Sequence, residues 1–242
     1  MILIKYLKRL LWDVWAVPCN IFRDIFARPD CSDIVVKEMC ETGLHIFPEG
    51  FNNEKLAVLQ GVYQDLLAKS DVVQKGQSAG RIYTHGLLDN RLKSIVEPMR
   101  NIASKYLCVD NAKLELTYFQ ESKPRNDLDS VPGGEFHIDD NKANIKFFVY
   151  LSNVGKENGP FVVVPGTHRW KESKRIFRAL CWALTKKRNV LYYKMNPAPL
   201  ELKAKYITGS AGTFFITDTT AWHRAEPVKK GERLVFVSSF NR

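Results

Sequence analysis

Residues 145–168 read IKFFVYLSNVGKENGPFVVVPGTH. Two apolar runs, 145–151 and 161–164, are rich in aromatic and β-branched residues, which suit a pleated strand. Between them, residues 153–159 are rich in Asn and Gly, the residues that turns favour. Pro165-Gly166-Thr167-His168 closes the second run. The same alternation of short run and turn recurs outward, in AKLELTYFQ (112–120), GTFFITD (212–218) and ERLVFVSSF (232–240). Short strands separated by turns predict a β-barrel or sandwich. Upstream the period changes to that of helices, over 54–70 and 90–107, and Pro98 is expected to kink or split the second. The expected organisation is one mainly β domain over 31–242 with N-terminal helices. An amphipathic helical segment, 1–30, precedes it, and a basic helical insertion, 169–206, interrupts it.

Just before the first strand, residues 133–140 read GGEFHIDD. In a strand, residues two apart share a face, so His137 and Asp139 would aim a nitrogen and a carboxylate at one point. The pattern is short, and with five histidines in the chain it needs company. A mononuclear iron site of the facial-triad type requires a second histidine. His45, His85, His168 and His223 are the candidates. His223 lies between two apolar strands, and Arg233 opens the later one ten residues on. An arginine at the start of a buried strand calls for a carboxylate, which its planar fork holds through two bonds. That carboxylate belongs either to a bound dicarboxylate or to a neighbouring acid such as Glu226 or Glu232.

The formal charge of +10 and the pI of about 9.3 favour anionic partners. No nucleic-acid-binding motif is recognisable, so nucleic acid is not the expected partner. Residues 169–188 hold eight cationic residues against one acid, Glu172. Trp170, Phe177, Leu180, Cys181 and Leu184 fall there at near-helical spacing. Such a segment is either a helix with a solvated basic face or one that lies on an anionic membrane surface. Five cysteines without a Cys-x-x-Cys pair argue against a disulfide framework or a zinc site. No apolar run reaches the roughly 18–20 residues that span a bilayer. The expected location is the cytoplasm, including the inner face of the membrane.

GEFHID, FFVYLSNVGKENGPFVVVPGTHRW, GTFFITDTTAWHRAEP and GERLVFVSSF together resemble the phytanoyl-CoA dioxygenase family. The resemblance covers residues 112–242. It implies a double-stranded β-helix and an iron(II)/2-oxoglutarate oxygenase using dioxygen. It further implies His137, Asp139 and His223 as iron ligands. Arg233 would then hold the distal carboxylate of 2-oxoglutarate, with Tyr118 as a second contact. Decarboxylation of 2-oxoglutarate to succinate would accompany hydroxylation of an unactivated C–H bond in a small or lipid-like substrate. Phe136 stands where the family often has tryptophan, and Ala225 where it often has a polar residue. Two other readings remain at this point: a non-catalytic barrel that binds a membrane or partner, and a cupin-like metal site without 2-oxoglutarate. Arg233 discriminates against the second.

Overall fold

The structure is a computed structural model that describes residues 29, 31–68, 73–75, 80–83, 90–124, 135–139, 143–169 and 198–242. Nearly all of the N-terminal segment 1–30 and most of the basic insertion, with His85, lie outside the described residues.

Helix α1 (Ile34–Thr42) starts where the Asp33 carboxylate accepts from the Val35 amide at 3.0 Å. It stops at Gly43, whose φ of +73° ends the helix and whose amide donates to Met39 O. Strand β1 (Leu44–Phe47) follows at once. Helix α2 (Asn53–Leu67) is capped by the Asn52 side chain, which accepts from the Lys55 amide at 3.1 Å. Asn52 is exposed, so Asn52→Ala is expected to remove the cap alone and cost about 1 kcal/mol. A urea midpoint that does not move would show that the cap adds nothing. After β2 (Val73–Lys75) and β3 (Gly80–Tyr83) comes α3 (Asn90–Leu107), which runs through Pro98 without a break. Its buried face, Leu92, Ile95, Val96, Met99, Ala103, Tyr106 and Leu107, packs on both sides of the proline. That burial outweighs the one backbone bond the proline removes.

The remaining chain is β-rich: β4 (Lys113–Ser122), β5 (Ile145–Tyr150), β6 (Phe161–Val163), the short helix α4 (Ala198–Glu201), β7 (Lys205–Ile207), β8 (Phe214–Asp218), β9 (His223–Ala225) and β10 (Arg233–Asn241). Seven strands form an antiparallel sheet in the order β1-β8-β5-β10-β4-β3-β2. Three more form a small antiparallel sheet, β7-β6-β9. Alternation sorts β4, β5, β8 and β10 of the large sheet into two faces. Phe119, Phe147, Val149, Ile216, Phe236 and Phe240 face the three helices. Tyr118, Phe148, Tyr150, Phe215, Val235 and Val237 face the small sheet and meet Phe161, Val163 and Ile207 from it. Tyr150 ties the two sheets together. Its hydroxyl donates to Ile207 O at 2.9 Å and accepts from the Phe161 amide at 3.0 Å. Burial pushes that phenol up to about 12, so it stays protonated and able to donate.

Candidate metal centre

His137 lies outside the regular strands. It forms a single antiparallel bridge with His223, each amide donating to the other's carbonyl at 2.9 Å. Ile138 points the other way, into a cluster with Phe136, Val162, Val164 and Trp222. The chain then bends at Asp139, whose amide donates to Thr219 O at 3.1 Å. Thr219 in turn donates to Asn144 O through its amide and its hydroxyl. Asp218 holds the same turn from beneath. Fully buried, it accepts from the Tyr106 hydroxyl at 2.8 Å and from the amide and hydroxyl of Thr220. One pinned turn, 218–221, therefore positions both Asp139 and His223.

Each imidazole places Nδ1 against a backbone carbonyl, His137 against Glu135 O at 2.8 Å and His223 against Ala221 O at 2.9 Å. A carbonyl only accepts, so Nδ1 donates to it, and in the neutral ring the lone pair then lies on Nε2. Both Nε2 atoms turn toward Asp139 Oδ1, at 3.6 Å and 3.5 Å. One ligand atom from each of the three residues lies within 4.8 Å of the others. Burial, and then the neighbouring His223, push His137 down to about 4. It is therefore neutral at neutral pH. Burial opposes the charge on Asp139, but His223 and Lys146 beside it hold the carboxyl well below the usual carboxylate range. Two imidazoles and one carboxylate, with lone pairs aimed at a common point, fit an iron(II) ion.

Lys146 is a residue that the sequence reading missed. Its Nζ lies 2.6 Å from Asp139 Oδ2. The signal was present in IKFFVY, where a lysine shares a strand face with Phe148 and Tyr150.

Arg233 opens β10 and is only 5% exposed. Its Nη1 donates to the carbonyls of Gly159 and Glu226, and its Nη2 to Ser122 Oγ at 3.2 Å. Neither Glu226 nor Glu232 offers it a carboxylate; Glu226 contributes its backbone oxygen, while its side chain binds Arg224. Among the described residues no acid pairs with Arg233. Burial pushes the guanidinium below its ordinary value, and the nearby Tyr150 and Tyr118 oppose that shift. A buried cation among neutral groups is costly and favours an incoming anion. Tyr118 lies on the interior face of β4, opposite Val237. Ala225, in β9, faces Phe161 across the small sheet.

His45 and His168 stand apart. His45 pairs with Glu38 at 2.7 Å. His168 is buried against α1, with Nε2 3.3 Å from Cys40 O, and its ring fills the space where a Cβ on Gly43 would stand. The Pro-Gly-Thr-His turn is thus a packing element.

Residues 68–233 match the family described as phytanoyl-CoA dioxygenase (PhyH), well over half of the chain. No curated protein matches the chain in sequence. Solved structures do match in fold. The non-heme alpha-ketoglutarate-dependent carbocyclase SnoK from nogalamycin biosynthesis is 14% identical with a TM-score of 0.64, covering 88% of this chain and 84% of that one. The epimerase SnoN, in complex with Fe3+, alpha-ketoglutarate and nogalamycin RO, is 14% identical with a TM-score of 0.65 over the same shares. EctD from S. alaskensis with bound Fe is 16% identical with a TM-score of 0.57, covering 85% of this chain and 75% of that one. At such identities the likeness establishes the fold, a double-stranded β-helix. The family match, which spans the whole distance from the second helix to Arg233, establishes the kinship: this chain belongs to the phytanoyl-CoA dioxygenase (PhyH) family of oxygenases.

Proposed function

We propose that the chain is an iron(II)/2-oxoglutarate-dependent hydroxylase acting on a small or lipid-like anionic substrate. The convergence of His137 Nε2, Asp139 Oδ1 and His223 Nε2 carries this reading. These three residues would hold iron(II). Arg233, with Tyr118 beside it, would hold the distal carboxylate of 2-oxoglutarate. Iron bound there would supply the oxidising power to hydroxylate an unactivated C–H bond, with one atom of dioxygen entering the product and the other the succinate formed as 2-oxoglutarate loses carbon dioxide. The chain's own part is to bind, orient and exclude water. The Phe161 ring stacks on His223 with centroids 5.5 Å apart, and Phe148 and Phe215 pack behind it. By the family resemblance, the intact carboxylate of Asp139 supports hydroxylation over halogenation. SnoK and SnoN are a carbocyclase and an epimerase by description, so the product decides the outcome: hydroxylation adds an oxygen atom, whereas ring closure and epimerisation do not.

The charge of +10 supports an anionic substrate or an anionic membrane surface beside the site. No helix among the described residues is long and apolar enough to cross a membrane. We place the enzyme in the cytoplasm, peripheral to the inner membrane face. The test is anaerobic titration of the apoprotein with iron(II) and then 2-oxoglutarate. A weak visible metal-to-ligand charge-transfer band is expected, followed by succinate once dioxygen is admitted. A folded protein that gives no band would overturn the reading and leave a binding module in its place.

A further inference from the structure

Lys146 sits on β5 inside the large sheet, opposite Thr217 on β8 and Ser239 on β10. The next residues on its face, Phe148 and Tyr150, belong to the apolar interior. Its side chain is 18% exposed. An ammonium in such a place needs a counter-charge. It meets Asp139, with Nζ 2.6 Å from Oδ2. The other carboxylate oxygen, Oδ1, faces both histidine Nε2 atoms. The two oxygens of one carboxylate are thus divided, one to a cation of the chain and one to the metal position.

We propose that Lys146 is a positioning residue that restricts Asp139 to binding metal through one oxygen, and so keeps open a coordination position that the cosubstrate and dioxygen need. The inference rests on the iron reading above. A carboxylate can ligate through one oxygen or through both. In an octahedral site, two imidazoles and a one-oxygen carboxylate leave three positions free. A 2-oxo acid takes two of them and dioxygen the third. If Asp139 bound through both oxygens, two positions would remain, and dioxygen would have none once the 2-oxo acid was bound. Lys146 prevents this by occupying Oδ2.

A second consequence is electrostatic. The Lys146 ammonium adds positive charge beside the metal position, which favours the 2-oxoglutarate dianion. The ammonium also withdraws electron density from the carboxylate. Its loss makes Asp139 a stronger donor, which favours iron(III) over iron(II).

Lys146→Met keeps most of the stem and removes the charge, whereas Lys146→Arg keeps the charge. Each variant and the full wild-type chain are titrated anaerobically with iron(II) alone and then with 2-oxoglutarate. The iron(III)/iron(II) midpoint potential is measured for each. Lys146→Met is expected to bind iron(II) at least as tightly as wild type, to bind 2-oxoglutarate about tenfold more weakly, and to show a lower potential. Lys146→Arg is expected to keep a potential close to wild type. If wild type binds iron(II) and 2-oxoglutarate and Lys146→Met matches it in both affinity and potential, the role of Lys146 is overturned while the iron reading stands. Loss of iron binding by a folded Lys146→Met chain also overturns it, because Lys146 would then be a structural prop. A wild-type chain that binds no iron(II) removes the reading beneath both.

Discussion

Replacing Arg233 by methionine is expected to weaken 2-oxoglutarate binding about 100-fold and to leave iron(II) binding intact. The guanidinium is buried, and among the described residues it meets only neutral oxygens. A carboxylate entering beside it would gain charge-assisted bonds worth about 3 kcal/mol for the pair. At about 1.4 kcal/mol per tenfold, that is roughly 100-fold in affinity. Methionine fills much of the same volume without charge, so the fold should hold. 2-Oxopentanoate supplies the control, since it keeps the metal-binding keto acid end and lacks the distal carboxylate. It should bind wild type and variant alike. If both acids lose affinity equally, Arg233 supports the fold and does not read the carboxylate. If neither loses affinity, the distal carboxylate is held elsewhere.

The strands that carry the site were legible because their signals are local. Runs such as 145–151 and 232–240 are long enough for composition and bounding turns to mark them, and the observed strands fall on them. Helix α3 occupies the residues expected of it, and it is not split at Pro98. The propensity of one residue yields there to an apolar face that continues on both sides of it. The elements that escaped notice are short or lie at an edge. Strand β1 has four residues and pairs only with β8, and β7 and β9 have three residues each. So few residues cannot display a period of two against their neighbours. Helix α1 escaped for a related reason, since nine residues give only about two and a half turns of pattern.

The site divides along the same line. His137, Asp139 and His223 were legible as residue types in order, and the structure brings them together. The means was not legible, because it is tertiary. The bridge between His137 and His223, and the Tyr106–Asp218 bond under their shared turn, join segments remote in sequence. Lys146 was readable by the question already asked of Arg233: why does a cation stand on a strand face that is otherwise buried? Its partner lies only seven residues away, yet nothing local shows that Asp139 divides its oxygens.

Gly159 joins fold and site, and Gly159→Ala is expected to cost about 2–5 kcal/mol. Its φ is +73°, a region in which a side chain costs about 1–2 kcal/mol. A Cβ there would also lie 2.4 Å from Glu226 O and 3.0 Å from the Val228 amide nitrogen. Those are backbone atoms, so the 226–228 segment itself must move, at a further 1–3 kcal/mol or so. Gly166 separates the two costs. Its φ is +79°, but a Cβ would meet nothing within 4 Å, so Gly166→Ala should cost only the backbone part, about 1–2 kcal/mol. Urea denaturation of both variants measures the difference, and equal losses would show that the close approach relaxes without penalty. The contrast reaches the site as well. Gly159 O and Glu226 O are the two carbonyls that Arg233 Nη1 binds. A shift of that segment displaces both acceptors, and with them the guanidinium. Gly159→Ala should therefore also weaken 2-oxoglutarate binding relative to 2-oxopentanoate, which Gly166→Ala should not do. A glycine that looked like turn punctuation in the sequence thus sets the position of the buried charge proposed to hold the distal carboxylate of the cosubstrate.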